Sequence, residues 1–280
     1  MSTQPDRMSG NAASFIGNIP EHYDAGLGPV IFIDYAADIA RRTAACSPAR
    51  VLETAAGTGI VTRQLRDFLP RGVHLTATDL NPPMLEVAQT KFRPGEAVDF
   101  RPADAAALPF SEGAFDAVVC QFGVMFFPQK ETAYREVHRV LAPGGHYLFS
   151  VWDSHRHNPF GRIAHETAAS FFPIDPPQFY NVPFSYYRID PIKESLIDAG
   201  FSNINVAVLK LYKEIADVTR FARGLVHGNP LIDQIRTRGG VDPDRVVDAL
   251  AQALRAEFGA DRGRMPLQAI MFSAVRAERN

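Results

Sequence analysis

The chain has 280 residues, with 29 Lys and Arg against 31 Asp and Glu, a formal net charge of −2, and 46% hydrophobic residues. This balance excludes the broad cationic surface that holds a nucleic-acid backbone, and the apolar content excludes a disordered tail. The only two cysteines, Cys46 and Cys120, can build neither a disulfide framework nor a four-thiolate metal site, which fits a reducing, cytoplasmic setting.

The first ~20 residues are rich in Ser, Asn, Gly and Gln and lack the apolar run of a signal peptide, so they are expected to be mobile. No window reaches the ~18 consecutive apolar residues of a membrane span. From Pro29 the spacing is helical, with Val30, Ile33, Ala37 and Ala40 on one face. A strand–helix rhythm follows. Strands are expected at 49–55, 73–79, 97–104, 115–122 and 145–152, and helices at 58–69, 82–92 and 130–142. Asn81 and Pro82 read as the N-cap and first residue of the second of these helices. Alternation of this kind implies parallel strands joined by right-handed crossovers. The near-continuous apolar runs at 115–122 and 145–152 fit strands covered on both faces.

After Trp152 the rhythm breaks. Residues 153–190 carry many Pro, Phe and Tyr, with one expected helix at 159–172. A helix at 192–201, closed by Gly200, and a strand at 203–212 restore it. A second departure, 214–263, holds expected helices at 217–227 and 244–258. In the latter, Val247, Leu250, Leu254 and Phe258 share a face, and Asp242 and Pro243 mark its start. A last strand is expected at 267–275.

The chemistry concentrates where the first strand turns into a helix, at Glu53-Thr54-Ala55-Ala56-Gly57-Thr58-Gly59. Glycine lets a ligand approach the backbone, and the helix N-terminus offers free N–H groups. A dinucleotide fingerprint fails because Thr62 stands where the third glycine is needed, and no Gly-Lys-Ser/Thr completes a phosphate loop. Glu53 would repel phosphates and suit a cation. Asp79 ends the second strand, 22 residues after Gly57, where a carboxylate can accept from ribose hydroxyls. Asp104 ends the third, followed by Ala105. Each acid alone could be a turn or cap residue, but three at the same sheet edge point to one shared ligand.

These segments, VLETAAGTG, TDLNPPML, ADAAALPF, FDAVVCQF and RVLAPGGHYLFSVW, resemble the class I S-adenosylmethionine-dependent methyltransferases. The nearest group is the one containing quinone-biosynthesis C-methyltransferases and many small-molecule methyltransferases. The resemblance covers 49–152 and, more weakly, the N-terminal helix, 192–212 and 266–276. It implies an α/β fold with a Rossmann-like mixed seven-stranded sheet, mostly parallel with an antiparallel last strand, helices on both faces and helical cap insertions. The single domain would comprise an N-terminal cap segment (1–46), a cofactor-binding core (47–152), cap insertions (153–190 and 214–263) and sheet completion (191–213 and 264–280).

The resemblance also implies site roles. Glu53, Thr54, Ala55, Gly57 and Gly59 belong to the turn around the methionine part of S-adenosylmethionine, with Glu53 serving its amino group. Asp79 holds the ribose hydroxyls, and Leu80 and Met84 pack near ribose and adenine. Asp104 and the Ala105 backbone address the adenine, Gln121 and Phe122 border the methionine moiety, and Tyr23 belongs to a segment that closes over the cofactor. Ala55 departs from the pattern by replacing its first glycine, which is tolerable if its φ is negative. S-adenosylhomocysteine would be the product.

The partner expected is a small, apolar or aromatic molecule, with no nucleic acid and no membrane. Phe126, Trp152, His155 and Tyr187 are the candidate substrate contacts. No catalytic residue stands out; His155, His157, Tyr187 and His227 are base candidates through their place in the expected cap. Asn81-Pro82-Pro83-Met84 resembles an amino-methyltransferase motif but follows the wrong strand. His155 and His157, even with Asp153 and His165, lack zinc-like spacing, so no metal is expected. Two rivals remain: a nicotinamide-dependent oxidoreductase, opposed by Thr62 and Glu53, and a non-catalytic cofactor-binding protein on the same fold.

Overall fold

A computed structural model describes residues 13–260 and 263–277. Seven strands form one sheet in the order β3-β2-β1-β4-β5-β7-β6. They are β1 (Arg50–Glu53), β2 (His74–Asp79), β3 (Asp99–Pro102), β4 (Phe115–Gln121), β5 (Leu141–Trp152), β6 (Phe201–Glu214) and β7 (Arg264–Arg276). β1 pairs in parallel with β2 and β4, placing Leu52 beside Thr76 and Val118. β7 inserts antiparallel between β5 and β6, with Phe272 beside Phe149 and Val206.

Alternating side chains divide the core between the two faces of the sheet. Val51, Ala117, Val119 and Leu148 pack with α2 (Ile33–Ala45) and α3 (Ile60–Phe68). Leu52, Val118, Cys120 and Phe149 face the other way, toward α5 (Lys130–Val140) and α7 (Ile189–Asp198). Burial on both faces is why β4 and β5 read as near-continuous apolar runs. α4 (Pro82–Gln89) covers β2 and β3.

Further helices stand over the carboxyl ends of the strands. α6 (Pro159–Ser170) follows β5, while α8 (Val218–His227), α9 (Leu231–Arg238) and α10 (Pro243–Phe258) separate β6 from β7. α10 packs on both α6 and α8. α1 (Ile19–Gly26) seats on α8 through glycines: a Cβ on Gly26 would lie 2.7 Å from Gly224 Cα, and one on Gly228 would lie 2.7 Å from Tyr23 N. Two backbones so close tolerate no side chain between them.

Several boundaries differ from expectation. The single helix from Pro29 is a wide π turn, Gly28–Phe32, leading into α2. α1 begins at Ile19, within the last residues of the segment expected to be mobile; of that segment residues 13–18 are described too, and residues 1–12 lie outside the described residues. α9 was not anticipated. β5, β6 and β7 run longer than their apolar cores because ladder pairing continues through polar positions. β3 stops at Pro102, two residues before Asp104. Among the described residues no helix is long and apolar enough to cross a membrane.

Candidate active site

The sheet order reverses between β1 and β4, and open α/β sheets bind ligands in the crevice such a reversal creates. β1, β2 and β4 deliver Glu53, Asp79 and Gln121 to its rim. The turn after Glu53 is left-handed at three positions, with φ of 51° at Ala55, 56° at Gly57 and 79° at Gly59. The negative φ that would have made Ala55 unremarkable is therefore not what the turn adopts. The turn closes by hydrogen bonds from Ala56 N to Thr78 O and from Gly57 N to Asp79 Oδ2, both 2.9 Å.

Glu53 is 1% exposed, and its Oε2 accepts from Thr62 Oγ1 at 2.6 Å. Burial pushes its carboxyl up to about 8, against the opposing Thr62 hydrogen bond and with a smaller contribution from the charge of Asp79. Asp79 accepts from Gly57 N and, at 2.8 Å, from Asn81 N. Its own burial raises it above the usual carboxylate range despite these bonds. Among the described residues no Lys or Arg ion-pairs with either acid. Gln121 Nε2 donates to Phe32 O at 3.3 Å, while its buried Oε1 has no partner among the described residues. Two desolvated acids and an idle amide oxygen suit a ligand that brings N–H and O–H donors and positive charge.

Three connected hollows surround this rim. A recess is walled by Glu53, Ala55, Gly57, Gln121 and Tyr23. A wider cleft shares the last four and adds Asp79, Leu80, Met84, Asp104, Ala105 and Phe122. Beyond it lies a chamber that shares Phe15, Tyr23, Phe122 and Phe126 with the cleft. Tyr23 borders all three, its ring stacked on Phe32 at 4.9 Å.

Two residues assigned to the turn do not line these hollows. Thr54 is buried, with its N–H donated to Val119 O. Gly59 packs against α4, where a Cβ would come within 2.7 Å of Ala88 Cβ. Asp104 is exposed and accepts from Ala106 N at 2.8 Å, so it closes its own turn while facing the cleft.

Of the substrate candidates, Phe126 and Trp152 line the chamber, and Trp152 stacks on Phe122 at 4.0 Å and 6°. His155 and Tyr187 do not. His155 Nε2 meets Tyr180 O at 3.1 Å, its ring lies on Phe184, and burial lowers its pKa. Tyr180, not Tyr187, reaches the chamber. His227 pairs with Asp244 at 3.0 Å and His157 is exposed, so no histidine borders the chamber among the described residues. Nor, among them, does any group of three or more His, Cys, Asp and Glu gather to hold a metal.

Residues that sequence reasoning missed come from irregular backbone. Phe15, 8% exposed, enters both cleft and chamber, and Asn81 explains how. Its side chain makes no helix cap; Oδ1 accepts from Phe15 N at 3.3 Å and Nδ2 donates to Ala13 O at 3.0 Å, stitching the N-terminal segment over the cleft. Asn229, in the turn before α9, also lines the chamber, beside Phe160 and Phe184 of the aromatic-rich first insertion.

Residues 52–149 match the family model described as a methyltransferase domain. The chain is 41% identical over 118 residues to a demethylmenaquinone methyltransferase of Thermus thermophilus, covering 42% of this chain and 53% of that protein. It is 30% identical over 182 residues to a ubiquinone/menaquinone biosynthesis C-methyltransferase of Pasteurella multocida, covering 59% of this chain and 68% of that one. The chain belongs to the class I S-adenosylmethionine-dependent methyltransferases. It thus spans about half the length of the first relative and about two thirds of the second. In fold it is similar to a phosphoethanolamine N-methyltransferase from Haemonchus contortus, solved with phosphomonomethylethanolamine and S-adenosylhomocysteine. The TM-score is 0.58 at 20% identity, over 92% of this chain and 57% of that one.

S-adenosylmethionine, the cofactor of this family, fits the donor set described. Its ammonium and sulfonium are cations, and Glu53, Asp79 and Gln121 Oε1 are the acceptors on the rim. Membership also removes the nicotinamide reading, which Thr62 already opposed.

Proposed function

We propose that this methyltransferase transfers a methyl group to a ring carbon of a small, electron-rich aromatic molecule held in the apolar chamber. One observation carries the reading. Asn229 apart, the chamber wall is aromatic and aliphatic and, among the described residues, holds no Asp, Glu, His, Lys or Arg. Its two phenols, Tyr23 and Tyr180, are held far above neutral pH by burial and stay protonated. A hydroxyl oxygen, which becomes a good nucleophile only as its proton is taken, would find no base there, whereas an activated ring carbon attacks with its own π electrons and sheds its proton afterwards. Placement alone can supply roughly 7–11 kcal/mol. The Pasteurella multocida relative, named as a C-methyltransferase of ubiquinone and menaquinone biosynthesis, supports the same choice.

In this reading Glu53 holds the cofactor's ammonium, Asp79 its ribose, and Asp104 with the Ala105 backbone its adenine. The stacked pair Phe122 and Trp152 forms a flat wall that orients the ring. Tyr23 and Phe15 separate chamber from solvent on the side of the N-terminal segment. The cofactor supplies an electrophilic methyl on a positively charged sulfur. With the cofactor held by Glu53, Asp79 and Asp104, the ring carbon would take that methyl as the carbon–sulfur bond breaks, and the displaced ring proton would leave to water.

The test is incubation with methyl-labelled S-adenosylmethionine and a metabolite extract, followed by mass spectrometry. One labelled aromatic product with the methyl on carbon is expected. Label on oxygen or nitrogen would overturn the carbon assignment. Label in protein or nucleic acid, or in nothing at all, would overturn the small-molecule reading and favour another role for the bound cofactor.

A further inference from the structure

Asn229 is a polar side chain in an otherwise apolar wall. It is 6% exposed and sits between α8 and α9. Its Nδ2 is committed to Leu225 O at 3.2 Å, Tyr180 Oη at 3.3 Å and Gly224 O at 3.5 Å. Tyr180 Oη in turn donates to Leu225 O at 2.7 Å. Because the carbonyl partners can only accept, they fix which end of the amide points where. Oδ1 is therefore the end left over, and among the described residues nothing donates to it.

Its position matters as much as its chemistry. Asn229, Tyr180, Leu225, Phe160 and Phe184 line the chamber only, whereas Phe15, Tyr23, Phe122 and Phe126 line both chamber and cofactor cleft. A rigid hydrogen-bond acceptor thus lies on a part of the chamber wall that the cleft does not share.

Building on the proposed function, we infer that Asn229 is the specificity-determining residue of the chamber and selects aromatic acceptors bearing a hydroxyl. A phenol or hydroquinone hydroxyl donates to Oδ1. A ketone, quinone or aryl ether presents only an acceptor, sets oxygen against oxygen and leaves both buried atoms unpaired. Sites built to bond a hydroxyl reject analogues lacking the donor for this reason. The same bond draws the hydroxyl proton toward Oδ1 and enriches the ring carbons ortho and para to it.

The chain has a single tryptophan, Trp152, and it lines this chamber. Its fluorescence, excited beyond the absorption of simple phenols, reports occupancy without turnover. Protein saturated with S-adenosylhomocysteine is titrated with 4-propylphenol and with 4-propylanisole. The phenol is expected to bind at least about fivefold tighter, as a neutral hydrogen bond of ~1 kcal/mol implies. Asn229→Leu should bring the two within about twofold, while Tyr180→Phe, which leaves Oδ1 in place, should keep the preference. Equal binding by the wild-type protein, or a preference that survives Asn229→Leu, would overturn the assignment. Asn229→Ala serves if the leucine variant does not fold, with unchanged S-adenosylhomocysteine affinity as the check. A preference that stands while no methyl is transferred counts against the proposed reaction alone. A silent tryptophan with both ligands removes the acceptor chamber, and this inference with it.

Discussion

Ala55 and Gly123 share a space with room for one methyl group: a Cβ on Gly123 would lie 2.5 Å from Ala55 Cβ. Ala55 carries a left-handed backbone that ordinarily belongs to glycine, and Gly123 accommodates the methyl that results. Gly123→Ala is expected to destabilise the protein by about 1–3 kcal/mol through overpacking. Ala55→Gly relieves an unfavourable φ but loosens the unfolded chain, and should fall between neutral and about 1 kcal/mol stabilising. The double variant should recover part of the Gly123→Ala loss. Recovery is incomplete because Cys120 Sγ would also stand 2.8 Å from the new methyl. Denaturant unfolding of all four proteins measures the coupling, and strictly additive changes would refute the shared space.

Asp79 joins the second strand to the glycine-rich turn and faces the cleft at once. Replacing it with alanine removes a charged acceptor from the cofactor and the partner of Gly57 N. Cofactor affinity should fall about tenfold or more, since a charged hydrogen bond contributes roughly 1.5–3 kcal/mol. Calorimetry with S-adenosylhomocysteine reads this directly. An unchanged Kd would place the ribose elsewhere.

Glu53 makes binding depend on pH. Its folded-state carboxyl, near 8 against an ordinary 4.5, keeps its proton in the unliganded fold through neutral pH. Between those two values the folded state binds more protons than the unfolded one, so this group's contribution to stability falls as pH rises. Pairing with the cofactor's ammonium needs the ionised form. Affinity should therefore rise between about pH 6 and 8, by as much as tenfold per unit, with proton release on binding. Asp79 shifts in the same direction. Glu53→Gln should bind more weakly at pH 8 and lose most of this slope. Calorimetry in buffers of different ionisation enthalpy counts the protons, and a flat profile for the wild-type protein would contradict the assignment.

Gly224→Ala should act on the cleft from a distance. The added methyl would lie 2.9 Å from Gly26 Cα, on a helix whose Tyr23 borders all three hollows. A loss of about 1–3 kcal/mol in stability is expected, together with weaker binding of both cofactor and 4-propylphenol. Thermal shift with and without S-adenosylhomocysteine separates the two effects. A variant less stable but binding both ligands normally would show that α1 can move without consequence.

The sheet was legible because strand and helix periods alternate cleanly from 49 to 152, and because each acid at the rim follows an apolar strand. Physical rules tied to local sequence reached Glu53 and Asp79, and the family resemblance added Gln121. What escaped depends on partners far away in the chain. α1 is a short helix, and its seat on α8 is a glycine contact between residues 26 and 224. Asn81 carries the ordinary signature of a helix start, yet its side chain serves Ala13 and Phe15. Asn229 precedes a proline and reads as a turn. The carbonyls of Gly224 and Leu225 turn its amide into a fixed acceptor, and the fold places it beside Tyr180 on the chamber wall. Trp152 and Phe126 are candidate substrate contacts that line the chamber, whereas Tyr187, a candidate of the same aromatic kind, stops short of it.

Asp24 binds α1 to Thr58 Oγ1 at 2.7 Å and to Lys91 Nζ at 2.5 Å, while Gly26 and Gly228 hold the same helix to α8. Lifting α1 therefore withdraws Tyr23 from the cofactor side and the acceptor side in one movement. One ring thus serves both spaces, and a displacement of α1 that widens the cleft widens the chamber as well.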